Sequence, residues 1–381
     1  MKTGTTLQLA LELAPYALVG VTVFTAALGS PALAPISAFV VLALLLNAAL
    51  GQCDPATWFL GDAPRSAYAG KVVWITGASQ GLGEELALHL ASLGARLILS
   101  SRREATLESV CDAAKAAGAA DARPLILDAR AGSDAMRRKG AEALELAEDM
   151  ITSASAVSSA TAGIDYLFHV AGGSQHAAAE DTADEVDRDM FELNVLSAIG
   201  LTKAILPSML SRREGTVVAV GSMAVKCPAP GQATYSATKA ALASFCHSLR
   251  GEVADRGVRV TVAHPGPIAT GLGGQTRVIF GATLAQSTCD TSEGDTADAD
   301  ARKKGAKVGK KEKRLDAGLV ARRIAAGAAW GLDEVVLATQ PIMLLRNFMQ
   351  YVPTVGYRVL NKVGPKRTRA ARAGASMYEL K

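Results

Sequence analysis

A phenol and an ammonium stand four residues apart in Tyr235-Ser-Ala-Thr-Lys239, and a hydroxyl, Ser222, lies upstream of them. On a helix, positions i and i+4 share a face, so Tyr235 and Lys239 can enter one pocket. A phenol is a weak acid near neutral pH, and a fixed ammonium nearby favours its ionised form. So placed, Tyr235 could give a proton to a carbonyl oxygen or take one from an alcohol. The Ser222 hydroxyl could hold the same oxygen. Alone, the Tyr-x-x-x-Lys spacing is also that of an exposed Lys beside a half-buried Tyr, so the elements around it decide.

Those elements begin with Lys71-Val-Val-Trp-Ile-Thr76, a continuous apolar and β-branched run that reads as a buried strand. It enters Gly77-Ala-Ser-Gln-Gly81-Leu-Gly83, and Glu84–Leu93 then carries a helical apolar pattern. Strand, glycine turn and helix make a phosphate cradle. Gly77 permits the tight turn, Gly81 and Gly83 admit a pyrophosphate, and the helix N-terminus favours its charge.

Further strands are expected near 95–100, 123–128, 164–170, 215–221, 257–263 and 333–338. Helices are expected over 183–211 and 232–254. Alternating strands and helices imply an α/β fold, a doubly wound parallel sheet of about seven strands with right-handed crossovers.

The Gly-x-x-x-Gly-x-Gly spacing together with the Tyr/Lys pair resembles the short-chain dehydrogenase/reductase superfamily over about residues 71–271. Its motifs occur in order. The cofactor turn corresponds to Gly77, Ser79, Gln80, Gly81, Leu82 and Gly83. Asp128, ending the strand-like Arg123-Pro-Leu-Ile-Leu-Asp128, matches the acid that meets the adenine amine. Ala171 and Gly172 follow the fourth strand. Asn194 in Glu192-Leu-Asn-Val195 matches the Asn that holds a water against the active-site Lys. Pro265, Gly266, Ile268 and Thr270 match the stretch that caps the nicotinamide carboxamide. The resemblance implies that Ser222 orients the substrate oxygen and Tyr235 transfers the proton. It gives Lys239 two tasks, lowering the Tyr235 pKa and holding the nicotinamide ribose. Ser222 and Tyr235 are thus also the substrate contacts. One departure stands out: the family's Asn-Asn-Ala-Gly is His169-Val-Ala-Gly172 here, which bears on cofactor affinity and not on the chemistry. His169 reads as a structural substitute.

Val72-Val-Trp-Ile-Thr-Gly-Ala-Ser, Leu99-Ser-Ser-Arg-Arg and Gln350-Tyr-Val-Pro-Thr look like the dehydrogenase/reductase member 7 group of that superfamily. The likeness implies a membrane-bound reductase of lipophilic carbonyls such as retinoids or steroids, in the endoplasmic reticulum. A 3-keto-sphingoid-base reductase and a catalytically idle scaffold remain alternatives. The family also implies a homodimer built on its two long helices.

Cofactor choice follows from charge. An acid at the end of the second strand favours NAD, whereas Ser101-Arg102-Arg103 stands there in this chain. Arg102 can bond a 2′-phosphate in charge-assisted, bidentate fashion, which favours NADP(H). The bland alternative is a solvated helix start.

The chain has 381 residues and a net charge of +4, and 49% of it is hydrophobic. From Leu13 to Cys53 no residue is charged, so 1–55 reads as a membrane anchor, with a cleaved signal peptide as the rival. The catalytic domain is expected over 70–340. Within it, 151–163 is a Ser/Ala/Thr-rich loop, and 285–315 is a charged insertion in the family's substrate lid, expected to be disordered. Over 341–381 an apolar helix precedes a basic tail. It suits a membrane interface beside the substrate pocket, or equally a helix packed on the sheet or on a partner. Five scattered cysteines make no disulfide framework, and the histidines show no metal spacing. The basic cluster lacks interleaved aromatics, which argues against nucleic-acid binding. His176 is expected at the substrate pocket or as a polar loop residue.

Overall fold

The computed structural model describes residues 57, 59–153, 162–269, 279–286 and 314–373. The expected anchor over 1–55, Thr270, most of the 151–163 loop and nearly all of the charged insertion lie outside the described residues.

Seven strands form one wholly parallel sheet: β1 (Val72–Thr76), β2 (Arg96–Ser101), β3 (Asp121–Ile126), β4 (Tyr166–His169), β5 (Gly215–Val220), β6 (Val258–Pro265) and β7 (Glu334–Leu337), in the order β7-β6-β5-β4-β1-β2-β3. Each expected strand is present. β3 begins and ends two residues earlier than its apolar pattern suggests, so Asp128 stands two residues beyond the strand rather than at its end. Pro124 is tolerated in β3 because the strand is the sheet edge, where a missing N–H costs no ladder bond.

Both faces of the sheet are covered, which is why β1 is apolar without alternation. Val73 and Ile75 join a core with Leu86, Leu90, Leu107 and Ile324. Those residues come from α1 (Gly81–Ser92), α2 (Glu104–Ala116) and α6 (Ala317–Trp330). Val72 and Trp74 face the opposite core, with Met136, Leu201, Ile205 and Leu249. Here the helices are α3 (Ser133–Thr152), α4 (Asp184–Arg212) and α5 (Ala233–Val253). The Trp74 indole N–H donates to Ser100 Oγ at 2.8 Å, so this buried polar group is satisfied. Burying each such large side chain stabilises the fold by about 2–3 kcal/mol before entropy is subtracted.

α6 starts where Asp316 Oδ1 accepts the Leu319 N–H at 2.8 Å and stops at Gly331 in the left-handed region. α4 is the one helix among the described residues long and apolar enough to cross a bilayer, but half of its apolar window is buried within the domain. Its π segment, Glu192–Leu196, carries Asn194. The expected C-terminal helix is two helices, α7 (Ile342–Tyr351) and α8 (Pro353–Arg372), broken at Val352-Pro353.

From β1 the chain runs outward to β2 and β3, then returns to place β4 on β1's other side. The crossovers diverge between β1 and β4, and a crevice opens at their carboxyl ends.

Candidate active site

The turn after β1 fills one half of that crevice. Gly77 has φ +71°, and a Cβ on it would lie 2.7 Å from Ala171 Cα. Gly81, at φ +59°, opens α1. At Gly83 the structure adds a packing reason. A Cβ there would lie 2.1 Å from the Gly77 carbonyl oxygen, so its absence lets the helix close onto the turn. Thr76 Oγ1 accepts the N–H groups of Val170 and Ala171, each at 3.2 Å, and holds the turn after β4 against the cradle.

Gly77, Ser79, Gln80, Gly81, Leu82 and Gly83 line a cleft of about 610 Å³, as do Ser101, Arg102, Asp128, Ala171, Gly172, Pro265, Gly266 and Ile268. Arg103, beside the expected Arg102, also lines it and donates to Gln80 Oε1 at 2.7 Å. Asp128 is half-exposed and takes the Arg130 N–H at 3.0 Å.

The same cleft holds Ser222, Tyr235 and Lys239. Ser222 ends the segment after β5, and its Oγ accepts the Ala224 N–H at 3.1 Å. That bond uses a lone pair and leaves the hydroxyl proton to donate elsewhere. Tyr235 and Lys239 lie one turn apart near the start of α5. Tyr235 packs beside Val186, Met190 and Phe280. The Lys239 ammonium is buried and donates to the Val220 carbonyl at 2.9 Å; burial pushes its pKa down to about 8.

Asn194 does not line the cleft. It stands behind the wall, buried, with Oδ1 accepting the Gly173 N–H at 2.8 Å. Its Nδ2 donates to Gly173 O and Thr238 Oγ1, both at 3.0 Å. Both amide hydrogens are thereby spent, so the side chain braces the turn after β4 against the helix of Lys239. Thr238, the second anchor, is a site-supporting residue that spacing did not reveal.

His169 is buried, and its Nε2 meets Thr202 Oγ1 at 2.8 Å. Burial lowers its pKa to about 3, so it is neutral and links β4 to α4. His176 is absent from the cleft lining, and its backbone N–H donates to Phe280 O.

The far wall comes from the C-terminal segment for which the sequence left the pocket, a membrane interface and packing on the sheet or a partner open. Ile342 and Leu345 of α7 and Val359, Leu360, Val363 and Arg367 of α8 line the cleft beside Met223, Cys227 and Pro228. Arg367 Nε donates to Pro230 O at 2.9 Å, and Arg372 pairs with Glu180 and Asp181. Burial raises the Cys227 thiol to about 11, so it acts as a small apolar wall residue.

Comparison with known proteins fits this geometry. A family model described as short chain dehydrogenase matches residues 71–278. Dehydrogenase/reductase SDR family member 7 of Homo sapiens is 30% identical over 315 residues, covering 82% of this chain and 84% of the relative. Member 7B of Bos taurus is 35% identical over 206 residues, 53% of this chain and 59% of its own length. Among solved structures, a short-chain dehydrogenase from Streptomyces avermitilis superposes with a TM-score of 0.58 at 25% identity, covering 78% of this chain and 97% of its own. With its parallel sheet, its glycine cradle and its Ser, Tyr and Lys on one cleft, the chain belongs to the short-chain dehydrogenase family.

Proposed function

We propose that the protein is a membrane-associated, NADP(H)-dependent reductase or dehydrogenase acting on a lipophilic carbonyl or alcohol. The observation that carries the reading is the single cleft. Its polar end holds the glycine cradle and Arg102, its middle holds Ser222, Tyr235 and Lys239, and its far wall is apolar side chains from α7 and α8.

The cradle fits a dinucleotide: Gly77, Gly81 and Gly83 line the cleft where the turn after β1 enters the N-terminus of α1. Bound there, the nicotinamide cofactor supplies or accepts the hydride. Arg102 and Arg103 favour the 2′-phosphate because no carboxylate ends β2. Ser222, with its proton free to donate, orients the substrate oxygen and stabilises the charge developing on it. Tyr235 transfers the proton to or from that oxygen, and the Lys239 ammonium favours the phenolate between turnovers. Asn194 keeps the Lys239 helix in register with the turn after β4. Pro265, Gly266 and Ile268 would hold the nicotinamide end of that cofactor.

Membrane association is supported by the outer face of the same two helices. Leu344, Phe348, Tyr351, Val352, Val355 and Tyr357 are exposed, with Arg358, Lys362 and Lys366 following. Apolar residues beside cations suit an anionic lipid surface. Because α7 and α8 also line the cleft, a substrate dissolved in lipid has a short path to Tyr235.

The decisive experiment follows NADPH oxidation by the detergent-solubilised full chain across retinal, keto-steroids, a 3-keto-sphingoid base and simple quinones, with Tyr235→Phe as control. Turnover of one carbonyl class, reduced at least 100-fold in the control, is expected. NADPH binding without turnover of any carbonyl would move the reading toward the idle scaffold. No cofactor binding would refute it.

A further inference from the structure

We propose that His264 and Glu334 form a positioning pair that fixes the Ser222 loop against the Tyr235 helix; this rests on the reductase reading above. Neither residue belongs to the cleft lining. His264, on β6, is fully buried behind Ser222. Its Nδ1 lies 3.3 Å from the Ser222 carbonyl oxygen, and a carbonyl only accepts, so Nδ1 carries the proton. A Cβ on Gly221 would lie 3.0 Å from that nitrogen, so the chain before Ser222 is kept bare for the ring to approach.

The other side of the ring meets Glu334 at the start of β7. His264 Nε2 and Glu334 Oε1 are 3.6 Å apart, within ion-pair range when the ring carries a proton on both nitrogens. That carboxylate oxygen is a junction. Lys226 Nζ lies 2.9 Å from it and His247 Nε2 lies 3.1 Å from it. Lys226 follows the short 3-10 turn Met223–Val225 that Ser222 caps, and His247 sits on α5 with Tyr235. Burial alone would raise the Glu334 carboxyl, but His264 and Lys226 outweigh it and hold the group well below the usual carboxylate range. It is thus an anion at neutral pH, and strand, loop and helix all meet it.

His247, His264 and Glu334 converge closely enough to suggest a metal ion, their ligand atoms lying within 4.8 Å of one another. The hydrogen bonds argue otherwise. Arg250 Nη1 stands 3.0 Å from His247 Nδ1 and can only donate, so His247 carries its proton on Nε2 and donates it to Glu334. The Lys226 ammonium already supplies the positive charge.

The junction matters because Ser222 and Tyr235 must address one substrate oxygen from two elements. An error of about 1 Å in such a pair costs on the order of 100-fold in rate. With the pair removed, the Ser222 loop is released while the cradle, on the other half of the sheet, is untouched.

The test uses His264→Leu and Glu334→Met, with His264→Asn as the conservative variant whose amide N–H can replace Nδ1–H, and Lys226→Met at the half-exposed end in case either core variant fails to fold. Hydrogen exchange of the segment 221–227 is read beside steady-state kinetics. Exchange there is expected to rise at least 10-fold in the disrupting variants, with β1 unchanged, and kcat to fall at least 10-fold at constant KM for NADPH. His264→Asn should restore most of both. Unchanged exchange over 221–227, acceleration equal across the fold, no rescue by Asn, or an unaltered kcat in an active enzyme would each overturn the proposal. If the wild-type protein turns over no carbonyl, the functional reading fails and the exchange measurement decides the tether on its own.

Discussion

The Lys239 ammonium donates to the Val220 carbonyl at 2.9 Å, joining the helix that carries Tyr235 to the strand that ends two residues before Ser222. One buried cation thus sets the spacing of the two groups that would address the substrate oxygen. The geometry has an electrostatic cost. Desolvation lowers the Lys239 pKa from its ordinary 10.5 to about 8.

A base with a depressed folded-state pKa binds its proton more weakly in the native than in the unfolded chain. Its contribution to stability is full above 10.5 and is lost as pH falls through about 8. The cofactor-free protein should therefore gain stability, relative to Lys239→Met, as pH rises from 8 to 10.5, by up to roughly 3 kcal/mol. Parallel urea titrations of the two proteins across that range measure the difference. Equal pH slopes would show that the ammonium is not desolvated.

His169 gives the corresponding effect in acid. Its folded-state pKa is about 3, whereas the unfolded residue protonates near 6.5. Native stability is therefore lost as pH falls from about 6.5 toward 3, by as much as roughly 4 kcal/mol at the limit. His169→Asn should flatten that acid slope while keeping a partner for Thr202. Chemical denaturation at pH 7 and at pH 5 reads the change.

Gly83→Ala should be worse than an ordinary helix substitution. Its Cβ would lie 2.1 Å from the Gly77 carbonyl oxygen, and neither backbone can yield without reshaping the cradle. A stability loss of about 1–3 kcal/mol is expected from the overpacking. NADPH affinity, read by quenching of protein fluorescence, should fall at least 10-fold. A variant that binds NADPH normally would place the dinucleotide elsewhere.

Arg102→Glu tests the choice of cofactor. Loss of a charge-assisted bond is worth about 1.5–3 kcal/mol, so kcat/KM with NADPH should fall roughly 10- to 100-fold while that with NADH holds or rises. An equal loss with both cofactors would mean that Arg102 serves the fold. Arg103 is the poorer target because it already bonds Gln80.

Phe348, Tyr351 and Tyr357 present their rings to solvent. Replacing all three with Ser should weaken sedimentation with vesicles containing phosphatidylserine, measured on protein freed from detergent. Turnover of a water-soluble quinone should be little changed. Unaltered vesicle binding would assign membrane contact to other parts of the chain.

Much of this architecture is written locally. Buried parallel strands need continuous β-branched runs, so Val72–Thr76 and Gly215–Val220 could be placed from residue type alone. The glycine-rich turn between strand and helix is placed by residue type as well, and the i, i+4 spacing of Tyr235 and Lys239 is fixed by the helical period. These features depend on residues within a turn or two of each other. The tertiary structure decided what depends on distant segments meeting. Gly83 is glycine because of a carbonyl six positions earlier that folds back over the helix. The side-chain donors of Asn194 are spent on Gly173 and Thr238. The apolar wall comes from residues 342–363, more than a hundred positions beyond Ser222. Glu334 becomes a junction only when β7 pairs with β6 and sets its carboxylate beside His264. Hydrophobic period and turn chemistry specify which elements form, whereas the side chains they bring together are chosen by packing across the sheet, which no local pattern encodes.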